Sequence, residues 1–128
     1  MKKYISKIIE ICKALFEKSD RLIEMANLTV EDTGLSRGWI RVSTQEGKHG
    51  ARVKYYRDRP SRRTPSASIS ISPNPEVKED SVIMTAKEIK EIFTFVIKNH
   101  KTLIKMWNEG ESMDKKEWFN LVNSLEKI

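Results

Sequence analysis

The sequence contains only one cysteine, Cys12, so no disulfide can form within the chain, which is typical of a protein from a reducing compartment. It also has no apolar run long enough to span a bilayer. Charged residues interrupt the apolar N-terminal stretch, and no small-residue cleavage site follows it, so it does not have the pattern of a signal peptide. We therefore expect a cytoplasmic protein without a membrane partner, in which Cys12 is a buried thiol on a helix.

The sequence lacks any complete catalytic or metal-binding motif. Its two histidines, His49 and His100, are far apart, and together with one cysteine they match no ligand spacing for a metal ion. The stretch GKHGARVK has glycines but not the phosphate-binding loop pattern, and no serine lies in a nucleophile elbow. We expect no cofactor and no metal, and the sequence favours a non-enzymatic protein.

Negative charge is scarce in the middle of the chain. The net charge is +6, yet nine basic and only two acidic residues lie between Arg37 and Arg63, which makes this segment +7 and the remainder −1. Such a local excess is the electrostatic pattern of a protein that binds a polyanion. The alternative is that the basic strands and loops are simply solvated.

The spacing of apolar residues changes along the chain and predicts the secondary structure. Spacings of three and four predict a first helix from about Lys2 to Asn27. Glycines then interrupt this pattern, and a spacing of two predicts three strands: WIRVST, ARVKYY and SASISIS. The following stretch SPNPEVKED, with two prolines, is predicted to be a turn.

Two capping boxes predict where the last two helices begin. Thr85 followed by Glu88 marks the start of a helix that ends at Gly110, and Asp114 followed by Glu117 marks the start of another. The element order is then α-β-β-β-α-α in one domain of 128 residues. Its parts are the N-terminal helix of residues 1–27, a basic sheet in 37–72 and two helices in 85–128. The predicted fold class is α+β, a two-layer domain with a three-stranded antiparallel sheet and helices.

The strand alternation predicts a basic and aromatic face on this sheet. If the isoleucines and valines face the helices, the outward face carries cations, aromatic rings and serines, and an arginine-rich loop adjoins it. Rings on which bases stack, beside cations that neutralise phosphate, suit RNA or single-stranded DNA. The predicted binding residues are Trp39, Arg41, Arg52, Lys54, Tyr56, Arg57, Arg59, Arg62 and Arg63. Alternatively, Trp39 is covered by the preceding linker, Tyr56 only packs across strands, and the face binds a protein or has no role.

The histidines and the first helix allow other interpretations. His49 in the predicted hairpin could act as an acid or base, and with Arg52, Lys54 and Tyr56 nearby it weakly resembles the site of a metal-independent ribonuclease. His100 lies on the apolar side of its helix, where a half-buried structural histidine is the simpler interpretation. The first helix could dock on a membrane or a partner, but core packing explains its apolar residues more simply.

A set of short motifs between Trp39 and Trp107 occurs in a characteristic order. The motifs WIRV, KHGARVKYY, SISI and VIKNHKTLIKMW follow one another at similar spacing to those of a bacterial family of small proteins of uncharacterised activity. The chain resembles that family, whose members are suspected toxin components of toxin–antitoxin pairs. The resemblance implies matching positions at His49, Tyr55, His100 and Trp107. The family's Pro-Pro pair and second hairpin histidine are absent from this chain.

Three hypotheses follow from these observations. The first is a non-enzymatic module that binds RNA or single-stranded DNA and whose setting would be a toxin–antitoxin pair or a mobile element. The second is a phage or plasmid protein that inhibits a host nucleic-acid-binding enzyme by docking on an acidic protein surface. The third is a small ribonuclease toxin that uses His49.

Overall fold

A computed structural model describes residues 25–44 and 50–128. These residues form one antiparallel sheet with helices, so the α+β class predicted from the sequence is confirmed. The strands are β1 Met25–Leu28, β2 Trp39–Ser43, β3 Arg52–Tyr56, β4 Ala67–Ser70 and β5 Val77–Asp80; the helices are α1 Val30–Thr33, α2 Ala86–Glu109 and α3 Lys115–Ser124, with a 3-10 turn at Gly110–Ser112. No helix in these residues combines the length and apolar character needed to cross a membrane.

The sheet is a meander in which each strand pairs with the next one along the chain. The register places Ile40 opposite Tyr55 and Val53 opposite Ile69. Directly opposed residues share a face of a sheet, so the apolar residues of the three central strands form one continuous surface. This inward face is the one predicted from the alternation of the sequence.

Helix α2 covers the inward face of the sheet. Its side chains Phe95, Leu103 and Met106 are fully buried and belong to the same core cluster as Ile40 and Val53. Trp118 of α3 is also fully buried in that cluster. The core therefore lies between the sheet and the two C-terminal helices, and burial of these large side chains is the main force that holds the layers together.

The predicted helix boundaries in the C-terminal part are confirmed. Thr85 caps α2, its side chain accepts a hydrogen bond from the backbone N–H of Glu88, and the reciprocal bond of the capping box is present. Gly110 is the C-cap residue of α2. In α3 the side chain of Asp114 accepts a hydrogen bond from the N–H of Glu117. These bonds satisfy backbone donors that a helix start otherwise leaves unpaired.

The prediction of a three-stranded sheet is wrong at both edges, because the sheet has five strands. Met25–Leu28 form β1, although the helical spacing had extended the first helix to Asn27; the rest of that predicted helix, with Cys12, lies outside the described residues. Ala26 pairs with Val42, and Leu28 is buried. Pairing with β2 overrides the local helical preference, because tertiary contacts outweigh propensity in short segments.

The second missed strand, β5, lies in the stretch predicted to be a turn. Val77–Asp80 pair with β4 across a register shift between Ser68 and Ile69. Its sequence VKED does not alternate in hydrophobicity, because β5 is an edge strand with mostly exposed side chains. Charged residues suit an edge, since they discourage pairing with another chain.

We predict that Gly110→Ala lowers the free energy of unfolding by about 1–3 kcal/mol, since overpacking of a filled core forces neighbouring atoms to shift. A Cβ atom at Gly110 would overlap Thr44 Cγ2 and lie 2.8 Å from the Trp118 ring. Urea denaturation followed by tryptophan fluorescence measures the change. Gly50→Ala is the matched control, because a Cβ there meets no atom within 4 Å. Equal stability of the two variants would contradict this packing.

Candidate functional site

The outward face of the sheet carries the cations expected there. Trp39 is opposite Tyr56, and Arg41 is opposite Lys54. The row continues into the next strands, since Lys54 pairs with Ser68 and Ser68 pairs with Glu79. Residues that are distant in sequence thus become neighbours on one surface, because cross-strand partners lie about 5 Å apart.

A cavity of about 120 Å³ lies on this face. Three cationic side chains and two hydroxyls contribute to its lining, with one carboxylate and two apolar side chains. The described residues that line it are Met25, Arg41, Ser43, Arg52, Lys54, Ser68, Glu79 and Trp107. The three cations were among the binding residues predicted from the sequence, whereas the cavity and the contribution of Trp107 from α2 were not.

Arg41 is held in place by two neighbouring side chains. Its Nε donates a hydrogen bond to Asn27 Oδ1 at 2.9 Å. Its guanidinium carbon lies 5.0 Å from the centre of the Tyr56 ring. The stacking and the hydrogen bond orient the guanidinium plane without neutralising its charge.

Arg52 and Lys54 are the other two cations of the cavity. Arg52 approaches Glu79 at 3.5 Å, but the carboxylate side chain is 75% exposed, so solvent screens this pair strongly. Lys54 is exposed and has no hydrogen-bond or ion-pair partner among the residues that the structure describes. The cavity therefore has an excess of positive charge.

Tyr56 is buried and differs in this respect from the exposed ring that base stacking needs. Its relative exposure is 3%, and Arg41 lies over the ring. Tyr56 therefore supports Arg41, as the cross-strand packing alternative anticipated. Trp39, which is partly buried at the loop end of the same face, keeps stacking as a predicted role.

The arginine-rich loop between β3 and β4 divides into one anchored arginine and three exposed ones. Arg57 points to Glu88, with Nε 3.0 Å from Oε2 and Nη2 2.7 Å from Oε1, and it also donates to the carbonyl of Ile83. Its side chain is only 23% exposed. The other three arginines, whose side chains have no partner in the described chain, are Arg59, Arg62 and Arg63. Arg57 is thus occupied by a structural contact, and the other three present free charge.

Glu88 joins the sheet, the loop and the start of α2. Besides the two bonds from Arg57, its carboxylate accepts the Tyr55 hydroxyl at 2.5 Å and the Thr85 backbone N–H at 3.0 Å. The hydrogen bond from Arg57 is the main cause that lowers the pKa of Glu88 to about 2. Burial, and then the bond to Glu88, raise the pKa of Tyr55. Neither group is suited to exchange protons near neutral pH, so this cluster is a structural one.

The positions that the family resemblance matched do not form one site. The Tyr55 hydroxyl contacts Glu88 in the first turn of α2, whereas Trp107 lies about 28 Å further along that helix at a rise of roughly 1.5 Å per residue. His100 is half-buried, and its Nδ1 is 2.9 Å from the Ile97 carbonyl oxygen, consistent with a structural histidine. His49 lies outside the described residues.

Within residues 25–44 and 50–128, no group of three histidine, cysteine, aspartate or glutamate side chains is placed to hold a metal ion. Neither a family model, nor a curated protein, nor a solved structure matches this chain. Among the described residues, the outward face of the sheet is therefore the feature that indicates a function.

We predict that Glu88→Gln destabilises the protein by about 1–3 kcal/mol at pH 7, since it removes a charged partner of hydrogen bonds that tie Arg57 and Tyr55. Because folding lowers the pKa of Glu88 to about 2, the ionised carboxylate stabilises the fold fully above its ordinary pKa of 4.5. The stability difference between wild type and variant should shrink as the pH falls from 4.5 towards 2. Urea titrations across this range measure it.

Glu111→Gln serves as the control for this experiment, because Glu111 is exposed in the 3-10 turn. It should change stability little at any pH. A Glu88→Gln variant that is as stable as wild type at pH 7 would contradict the role assigned to this cluster.

Proposed function

We propose that this protein is a non-enzymatic binding protein for RNA or single-stranded DNA. The observation that carries the proposal is the convergence of Arg41, Arg52 and Lys54 on one cavity of the outward face. Phosphate groups supply most of the affinity in protein–nucleic acid contacts, and they are bound by arginine, lysine and hydroxyl side chains. Both kinds of side chain line this cavity.

The distribution of charge across the sheet indicates a direction for the bound strand. The edge strand β5 carries the acidic residues Glu79 and Asp80, and both are exposed. The cations lie on β2 and β3 and continue into the loop that follows β3. A polyanion would avoid the β5 edge and run from the cavity towards the loop arginines.

Trp39 lies on this path and supports a single strand as the ligand. It is adjacent to the loop end of β3, since it pairs with Tyr56, and its side chain is partly exposed. A strand that contacts both the cavity and the loop would pass the indole ring, on which an unpaired base can stack. In a duplex the bases are paired and unavailable for such stacking. A toxin–antitoxin or mobile-element setting is the part of this proposal that comes from the sequence alone.

We predict salt-sensitive binding that depends on the cavity cations. In fluorescence anisotropy with labelled single-stranded RNA, single-stranded DNA and duplex DNA, affinity for a single strand should fall by roughly a hundredfold or more between about 50 and 200 mM salt, because phosphate contacts release counterions. Arg52→Ala combined with Lys54→Ala should weaken binding by about tenfold or more at low salt.

The matched control removes the same amount of charge from the opposite layer of the protein. Lys90→Ala combined with Lys101→Ala changes two exposed residues of α2, which covers the inward face. It should bind as wild type does. If no nucleic acid binds, or if binding does not depend on salt, the proposal fails and docking on an acidic protein becomes the hypothesis to test by pull-down.

We also predict that the loop arginines contribute separately from the cavity. Substituting Arg59, Arg62 and Arg63 together with alanine should make the slope of log K against log salt less steep by about 2, since each lost phosphate contact removes somewhat less than one unit for a single strand. The same anisotropy titrations over several salt concentrations give the slope. An unchanged slope would show that the loop does not contact the strand.

A further inference from the structure

We propose that the cavity on the outward face binds a terminal phosphate monoester of the nucleic acid strand, rather than a phosphodiester within it. This inference rests on the proposed function, because it names the part of the strand that the same site takes. It draws on three properties of the cavity: its unpaired polar groups, its charge and its size.

The first property is a set of polar side chains without partners. Ser43 and Ser68 line the cavity and are only 8% and 5% exposed. Within the described chain, neither hydroxyl forms a hydrogen bond, and the ammonium group of Lys54 forms none either. These three groups line the cavity and have no partner among the described residues, so they are available to donate hydrogen bonds to a ligand in it.

The second property is the charge of the cavity. Arg41, Arg52 and Lys54 contribute three positive charges, and among the described residues of the lining Glu79 is the one carboxylate. The excess of two positive charges matches a phosphate monoester, which carries a charge of about −1.5 to −2 at pH 7. A phosphodiester carries a single negative charge and would leave this excess partly unpaired.

The donors are arranged so that several can act on one phosphate. Arg41 uses Nε for Asn27, and its terminal nitrogens have no other partner in the described residues. The contact of Arg52 with Glu79 is 3.5 Å long, so a phosphate can replace that solvent-exposed carboxylate as its partner. The two guanidinium groups and the two serine hydroxyls can therefore donate hydrogen bonds to the free oxygens of one phosphate monoester.

The third property is size. A cavity of about 120 Å³ has room for several water molecules. This volume is sufficient for a phosphate group. The apolar side chains of Met25 and Trp107 form the remaining part of the lining and reduce the space available to water. In the proposed complex the terminal phosphate enters the cavity, while the attached strand lies outside it.

The test compares oligonucleotides of one sequence and one length, labelled on the same internal base. They carry a 5′-phosphate, a 3′-phosphate or hydroxyls at both ends. In anisotropy titrations at physiological salt, we expect one or both phosphorylated strands to bind about tenfold more tightly than the hydroxyl-ended strand, since a monoester adds charge-assisted hydrogen bonds. A preference for one end identifies which terminus is bound.

Two variants separate the cavity from the rest of the surface. Ser43→Ala combined with Ser68→Ala removes the two hydroxyls with little change in volume. It should reduce the ratio of the affinity for the phosphorylated strand to the affinity for the hydroxyl-ended strand. Ser124→Ala at the end of α3 is the control, and it should leave that ratio unchanged. Circular dichroism establishes that each variant is folded before it is compared.

The possible results distinguish this inference from the proposed function. Equal, salt-sensitive affinities for all three strands would overturn the terminal-phosphate inference and leave the proposed function intact. Absence of binding to every strand would overturn both. Calorimetry with inorganic phosphate adds a further test: if it binds as tightly as the phosphorylated strand, the ligand is the free anion and the inference is wrong.

Discussion

The structure depends on the alternation of side chains along the three central strands. Ile40 and Val53 are buried between the sheet and α2, and the pleat then directs Arg41 and Lys54 to the other face. The antiparallel register aligns these two with Ser68 of the next strand. A slip of one residue in any of these strands would expose its apolar side chains and bury its cations. Formation of the core and formation of the basic cavity are therefore the same event.

The contacts of Glu88 add a second constraint where the loop meets the helix. One carboxylate receives hydrogen bonds from β3, from the loop and from the N-cap residue of α2. Its main partner is Arg57, which belongs to the same run of arginines as Arg59 and Arg62. The sequence pattern does not predict that Arg57, rather than one of the others, has a structural role. Anchoring of Arg57 holds one end of the loop against the protein and leaves the remaining arginines exposed. The basic segment thus contains both structural and available cations.

Much of the architecture could be predicted because its causes are local. A period of two identified the strands that became β2, β3 and β4, and hydroxyl and carboxylate caps marked the starts of α2 and α3. The alternation of side chains also placed Arg41, Arg52 and Lys54 on one face, since it follows from the backbone geometry of a strand. The edge strands β1 and β5 were missed because pairing with a neighbour, rather than their own composition, makes them strands.

The sequence by itself therefore determined the α+β class, the inward face of the central strands and the basic character of the opposite face. Only the tertiary structure decided which of those residues have a partner. The bond between Arg57 and Glu88 joins residues 31 positions apart, and the cavity combines side chains from all five strands with Trp107 of α2. Burial of Tyr56 beneath Arg41 is likewise a product of packing. Such contacts depend on distances between segments, and local periodicity carries no information about those distances.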